Sequence, residues 1–131
     1  MFTLEDLIQQ AQQAAERAYA PYSHYHVGAV LVAKDGQHFS GCNVENASYP
    51  AGICAERTAL VKAISEGVRE FEMIVVWTRN GGSPCGICRQ MLFEFAPDLR
   101  VVMVNEAGEV VSDLPLHELL LHGFSPSKLH E

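Results

Sequence analysis

Basic residues are scarce in this sequence. Lys and Arg number 9 against 16 Asp and Glu, a formal charge of -7. That sign repels a phosphate backbone, so a nucleic acid polymer is excluded as a partner. Long apolar runs are missing as well. No stretch approaches the roughly 20 residues that span a bilayer, and the opening MFTLEDLIQQAQQ lacks the basic segment and apolar core of a signal peptide. The expectation is a soluble, cytoplasmic protein with no membrane partner. No repeat, low-complexity tract or linker divides the chain, and 131 residues at 48% hydrophobic content suffice for one core, so residues 1–131 are read as a single domain. The six histidines include no pair at the i,i+4 spacing of a helical metal site.

What is present is local periodicity with clear punctuation. Thr3 and Asp6 form a capping box, Phe2 can staple onto Leu7, and Leu4, Leu7, Ile8, Ala11, Ala15 and Ala18 recur at helical spacing, predicting a first helix that ends near Tyr19. Val27 to Ala33 reads as a buried strand, turned at Lys34-Asp35-Gly36 into a second around His38 to Asn43. A loop from Val44 to Ile53 leads into a helix from Cys54 to Glu66, stopped by Gly67. Met73 to Trp77 is a strand and Arg79 to Pro84 a loop. Cys85 then opens a helix with an apolar face at Met91, Leu92 and Phe95, closed by Pro97. Val101 to Val104 and Val110-Val111 are strands, and Pro115 to Leu121 a final helix before a tail holding Gly123-Phe124 and Pro126. This order predicts an α/β fold, a mixed sheet with helices on both faces.

Of the four cysteines, Cys42 lies in an apolar strand and reads as a small buried hydrophobe. The other three lie in Cys54-Ala55-Glu56 and Pro84-Cys85-Gly86-Ile87-Cys88, both at helix entrances. First-turn N–H groups and the positive dipole end lower thiol pKa there and favour metal binding. Three thiolates suit zinc and leave a tetrahedral ion one position for a reactive water. Three thiolates also leave the site with a formal charge of about -1. Arg57, three residues after Cys54, is placed to hydrogen-bond the ligand sulfurs and draw that charge back. Glu56, between ligand and arginine, is the candidate general acid and base. Other readings of the parts remain open: a CxxC pair serves redox chemistry, a fourth side chain closes a structural zinc site, and Arg57 forms a surface pair.

Taken together, Cys54-Ala55-Glu56-Arg57-Thr58-Ala59-Leu60, Pro84-Cys85-Gly86-Ile87-Cys88-Arg89-Gln90, Ala20-Pro21-Tyr22-Ser23, Val27-Gly28-Ala29 and Gly41-Cys42-Asn43-Val44-Glu45-Asn46-Ala47-Ser48-Tyr49 resemble the small zinc-dependent cytidine deaminases of nucleoside salvage. The resemblance covers nearly the whole chain. It implies a three-layer α/β/α fold with a five-stranded mixed sheet, one Zn2+ per subunit on Cys54, Cys85 and Cys88, a homotetramer, and hydrolytic deamination of cytidine and 2'-deoxycytidine. It further implies that Asn43 and Glu45 bind the ribose hydroxyls, and that the backbone near Ala55 and from Ser83 to Cys85 meets the pyrimidine edge. Tyr49 and Phe124 would complete a neighbouring subunit's pocket. Where the family commonly has phenylalanine this chain has Tyr25; its ring would stack on the base, and its hydroxyl would then need a partner. Deamination of another aminated ring, such as blasticidin S or guanine, is the alternative on the same chemistry, and a non-catalytic zinc module the alternative outside it.

Overall fold

The structure, a computed structural model, describes residues 2–129. Helix α1 spans Leu4–Ala15 and begins at the expected capping box: the Asp6 N–H donates to Thr3 Oγ1 at 3.2 Å and the Thr3 N–H to Asp6 Oδ2 at 2.9 Å. It stops four residues before Tyr19. The cause is tertiary: the Tyr19 N–H donates to Asn43 O at 3.0 Å, drawing the chain into a bridge with Val44 and out of the helix.

Strands β1 (Gly28–Ala33), β2 (His38–Cys42), β3 (Phe71–Trp77), β4 (Arg100–Val104) and β5 (Val110–Pro115) make one sheet in the order β2-β1-β3-β4-β5. Only β3 and β4 run parallel, so the sheet is mixed as expected. Every residue of β1 is buried, as a central strand covered on both faces requires. Alternation sorts the side chains: Val30, Val32, Val75, Val102 and Val104 pack with Leu7 and Ala11 of α1. Ala29, Leu31, Ile74, Val76, Val101 and Met103 face the other way, toward helices α2 (Ala55–Ser65) and α3 (Gly86–Phe95). The three layers are α/β/α.

The carboxyl end of the chain departs from expectation. Pro115 ends β5 opposite Arg100, so the last predicted helix shrinks to α4, Leu116–Leu119, pinned where the Leu116 N–H donates to Leu99 O at 2.8 Å. A further turn of helix, α5, covers Pro126–Leu129. Strand β5 outruns the two valines read from the sequence because β4 supplies a ladder partner, reinforced where Arg100 grips Asp113 at 2.7 Å.

Two glycines set how closely the helices lie on the sheet. A Cβ at Gly28 would sit 1.8 Å from Ala11 O of α1, and one at Gly41 would sit 2.5 Å from Ala59 N and 2.6 Å from Ala55 O of α2. Only a bare backbone lets both helices seat at that distance. Gly28→Ala should therefore lower the unfolding free energy by about 3 kcal/mol through overpacking against rigid backbone. Denaturant titration reads this as a reduced midpoint, and an unchanged midpoint would show that α1 can lift away freely.

Register decides where a site can form. Gly28 pairs with Cys42 on one side and with Trp77 on the other, so the residues just before β1 and just after β2 and β3 emerge at one end of the sheet. Tyr25, Asn43 and Thr78 are among them. The close seating of α2 on β2 brings Cys54 and Glu56 to the same end.

Candidate active site

Cys54 is the N-cap of α2 and Cys85 the N-cap of α3, both with extended backbone, and Cys88 lies in the first turn of α3. The sequence thus converts two helix starts into one cluster once the helices pack side by side. Cys54 Sγ lies 3.7 Å from Cys85 Sγ, Cys85 Sγ lies 3.4 Å from Cys88 Sγ, and all three sulfurs fall within 4.8 Å of one another. Two sulfurs on a tetrahedral zinc stand about 3.8 Å apart, from a Zn–S bond of about 2.3 Å, so the trio fits that ion. All four cysteines are free thiols.

The thiols press on one another's protons. The Cys88 thiol hydrogen-bonds to Cys54 and pulls the Cys54 pKa down to about 5, with burial opposing and Arg57 assisting. The same hydrogen bond to Cys54, together with burial, pushes Cys88 up. The two shifts describe one proton that stays on Cys88 while Cys54 ionises, since neighbouring thiolates repel. A divalent cation removes that repulsion and lets the trio ionise together. Arg57 Nη2 donates to Cys54 Sγ at 3.8 Å, the contact anticipated from its position one turn along α2. Thr58 Oγ1 donates to Cys54 O at 3.2 Å and fixes the ligand's backbone.

Glu56 follows Cys54 by two residues and is only 4% exposed. Burial raises its pKa to about 7, and the neighbouring Cys54 charge adds to the rise. A carboxyl held near neutrality can both accept and return a proton. Ala55, the first residue of α2, is fully buried, and as a first-turn residue its N–H has no intrahelical acceptor.

A cavity of about 210 Å³ opens beside the thiols, lined among others by Tyr25, Asn43, Glu45, Cys54, Glu56 and Cys85. Tyr25, Asn43, Glu45 and Glu56, four of the seven expected catalytic and substrate positions, therefore share one space with two of the sulfurs. An adjoining groove of about 350 Å³ includes Tyr49 and Arg57 and again Asn43, Glu45 and Cys54. Phe124 stands apart from both. It is 55% exposed and its backbone is held by Gln90, whose Nε2 donates to Phe124 O at 2.8 Å. Another groove, about 560 Å³ between α1, β2 and α2, contains none of the expected site residues; Cys42 lines it and is half-buried rather than fully enclosed.

Asn43 and Glu45 already bond within the chain. Asn43 Oδ1 accepts from the Val27 N–H at 2.9 Å while its Nδ2 donates to Tyr25 O at 2.8 Å. Glu45 Oε1 accepts from the Tyr22 and Ser23 N–H groups at 3.0 and 3.1 Å, and Oε2 accepts from the Ser23 hydroxyl. The Ser23 hydrogen bonds lead in holding the Glu45 carboxylate below its usual range. Oε1 thereby uses both of its lone pairs, and Oε2 keeps one that can accept a further hydrogen bond. Ser23 is a site residue that spacing alone does not identify, since its partner lies 22 positions away. The Tyr25 hydroxyl finds the partner it needs in Asn80, donating to Oδ1 at 2.6 Å.

Comparison with known proteins follows the same outline. A model of the cytidine and deoxycytidylate deaminase zinc-binding region matches residues 1–105. The cytidine deaminase of Sporosarcina psychrophila is 43% identical over 129 residues, covering 96% of this chain and 94% of that protein. The probable cytidine deaminase of Dictyostelium discoideum is 48% identical over 129 residues, covering 96% and 86%. Among solved structures, cytidine deaminase from Burkholderia pseudomallei superimposes with a TM-score of 0.89 at 48% identity, covering 94% of this chain and 100% of that one. The zinc-binding region includes all three clustered thiols, which makes zinc the ion they hold. With the family model matched over most of its length and relatives alike from end to end, the chain belongs to the cytidine and deoxycytidylate deaminase family.

Proposed function

We infer that this protein hydrolyses the exocyclic amine of cytidine and 2'-deoxycytidine, giving uridine or 2'-deoxyuridine and ammonia. One observation carries it: a buried carboxyl with a pKa near 7, Glu56, opens into the same cavity as the zinc-type thiols and the Asn43–Glu45 pair. Cys54, Cys85 and Cys88 would hold zinc, which when bound would supply an acidified water.

The chain's own residues do the rest. Glu56 takes a proton from the attacking water and delivers it to ring N3, which drains electron density from C4 as the new C–O bond forms. It then carries the hydroxyl proton to the exocyclic nitrogen, so that ammonia rather than amide ion departs as the C–N bond breaks. Arg57 offsets the thiolate charge through its bond to Cys54, which keeps the water acidic. Glu45 accepts from a ribose hydroxyl and Asn43 donates to one through its second Nδ2 hydrogen, and the Ala55 N–H and the Ser83 to Cys85 backbone meet the pyrimidine edge. Tyr25 presents its ring to the base.

Incubating zinc-loaded protein with cytidine, 2'-deoxycytidine, cytosine, CMP and blasticidin S and measuring ammonia tests the assignment. Release from the two nucleosides first and fastest is the expected outcome. Ammonia from none of them, or from blasticidin S alone, overturns it.

We further infer a homotetramer acting in the cytoplasm. Tyr49 is 77% exposed in the groove beside the cavity, and the exposed Phe124 lines neither its own cavity nor that groove, as side chains that complete a second subunit's pocket would. The charge of -7 and the lack of any described helix long and apolar enough to cross a membrane suit that compartment. Diluting the protein to a monomer, verified by sedimentation, should reduce specific activity by about tenfold or more, since each pocket then loses an aromatic wall. Constant specific activity would dismiss the shared pocket.

A further inference from the structure

Tyr25 is held at both ends, and the two ends belong to different halves of the site. Its carbonyl accepts from Asn43 Nδ2 at 2.8 Å on the sugar side. Its hydroxyl donates to Asn80 Oδ1 at 2.6 Å, in the segment that runs from the end of β3 to Cys85. That same Asn80 oxygen accepts from Thr78 Oγ1 at 3.3 Å, and Thr78 Oγ1 in turn accepts from the Gly82 N–H at 2.8 Å. Thr78 is only 3% exposed, so the relay is anchored in the core at the end of β3.

The space around the hydroxyl is built to match. A Cβ at Gly82 would lie 2.8 Å from the Tyr25 hydroxyl, 3.5 Å from Asn80 Oδ1 and 3.9 Å from Thr78 Oγ1. A glycine and a tyrosine thus share a position where two larger groups do not fit. The Arg79 guanidinium lies over the Tyr25 ring, 5.2 Å from its centroid, and closes the outer side.

We propose that Tyr25, Asn80, Thr78 and Gly82 form a strut that ties the aromatic wall of the cavity to the segment carrying Ser83 and Cys85, making Tyr25 through its hydroxyl, and Asn80, positioning residues for the deamination inferred above. The proposal rests on that activity but on a different observation. The segment would otherwise be a glycine-rich loop, Gly81-Gly82, with few side chains to restrain it. Misplacing a reacting geometry by a fraction of an ångström costs rate more than binding, whereas the ring itself, which supplies stacking, does not depend on the hydroxyl.

The test uses the zinc-loaded full chain and begins with wild-type turnover of cytidine. Ammonia from the wild type establishes the activity, so a wild type without turnover sinks the deaminase assignment, and the strut's effect on catalysis with it. In active protein, Tyr25→Phe should lower kcat about tenfold, with KM changed less than about threefold, as loss of one neutral hydrogen bond at a positioned group predicts. Asn80→Ala should match it, and the double variant should be no worse than either single one, since both cut the same link. Asn80→Asp keeps the acceptor oxygen and should retain kcat within about threefold of wild type. Gly82→Ala should be harmful beside Tyr25 and add no further loss beside Tyr25→Phe. Independently of turnover, hydrogen exchange should show the Gly82 amide, which donates to Thr78 Oγ1, losing protection in Tyr25→Phe while the β1 and β3 amides keep theirs. Full kcat in Tyr25→Phe, multiplicative losses in the double variant, or unchanged exchange at Gly82 overturns the strut.

Discussion

Glu56→Gln should retain a full complement of zinc and the native fold while kcat for cytidine falls by about 10²- to 10⁴-fold, the range set by loss of a positioned proton carrier. The substitution is nearly isosteric, so the cavity around this 4%-exposed side chain keeps its shape. What disappears is the ability to take and return a proton. The amide of glutamine can still donate a hydrogen bond to ring N3, but it can neither relieve the water of its proton nor deliver one to the departing nitrogen. Burial raises the Glu56 pKa to about 7, which would let a carboxyl both take and return a proton near neutrality. Elemental analysis of the same preparation is the necessary companion, because Glu56 adjoins a metal ligand and a metal-poor variant would be slow for another reason. A metal-replete variant with kcat within tenfold of wild type would remove Glu56 from the mechanism.

Removal of zinc, by chelator or by Cys88→Ala, should cost at least about 10³-fold in activity, since among the described residues Cys54, Cys85 and Cys88 are the group placed to hold an ion that acidifies water. Readdition should restore the chelated wild type and not the variant. The same experiment separates an enzyme from a zinc-stabilised module. The two core clusters draw on β1, β3, β4 and the inner faces of α1, α2 and α3, with no cluster member among the three thiols. Metal-free protein under reducing conditions should therefore keep its far-UV circular dichroism, whereas a module folded by its metal would lose it. Reductant matters because Cys85 and Cys88 sulfurs 3.4 Å apart are placed to oxidise once the ion is gone. Collapse of the spectrum on chelation would assign zinc a structural role, and activity surviving chelation would end the metal mechanism.

Much of this was legible in one dimension. The capping box at Thr3, the hairpin turn at Gly36, the helix starts at Cys54 and Cys85 and the buried strand that precedes that turn depend on neighbours within a turn or a strand, and each appears where the spacing predicts. The errors cluster where a distant partner overrides local preference. Helix α1 ends early because Asn43 and Val44 capture Tyr19, and the last helix shortens because Arg100 and Leu99 capture Pro115 and Leu116. Spacing assigns no role to Ser23 or Asn80 for the same reason: a hydroxyl or an amide acquires a role only through what it meets, and those meetings span 22 and 55 positions of chain.

By itself the sequence determined the chemistry on offer: three thiols and a carboxyl, each set at or near a helix start, where backbone N–H groups favour anions whatever the rest of the fold does. Tertiary structure alone decided that Cys54 meets Cys85 across 31 residues, that Glu56 is buried deeply enough to hold its proton near neutral pH, and that Tyr25 reaches Asn80. The physical reason is range. Spacing and capping are fixed by covalent geometry over a few residues, whereas proximity and desolvation depend on strand register and on how closely Gly28 and Gly41 let two helices approach one sheet.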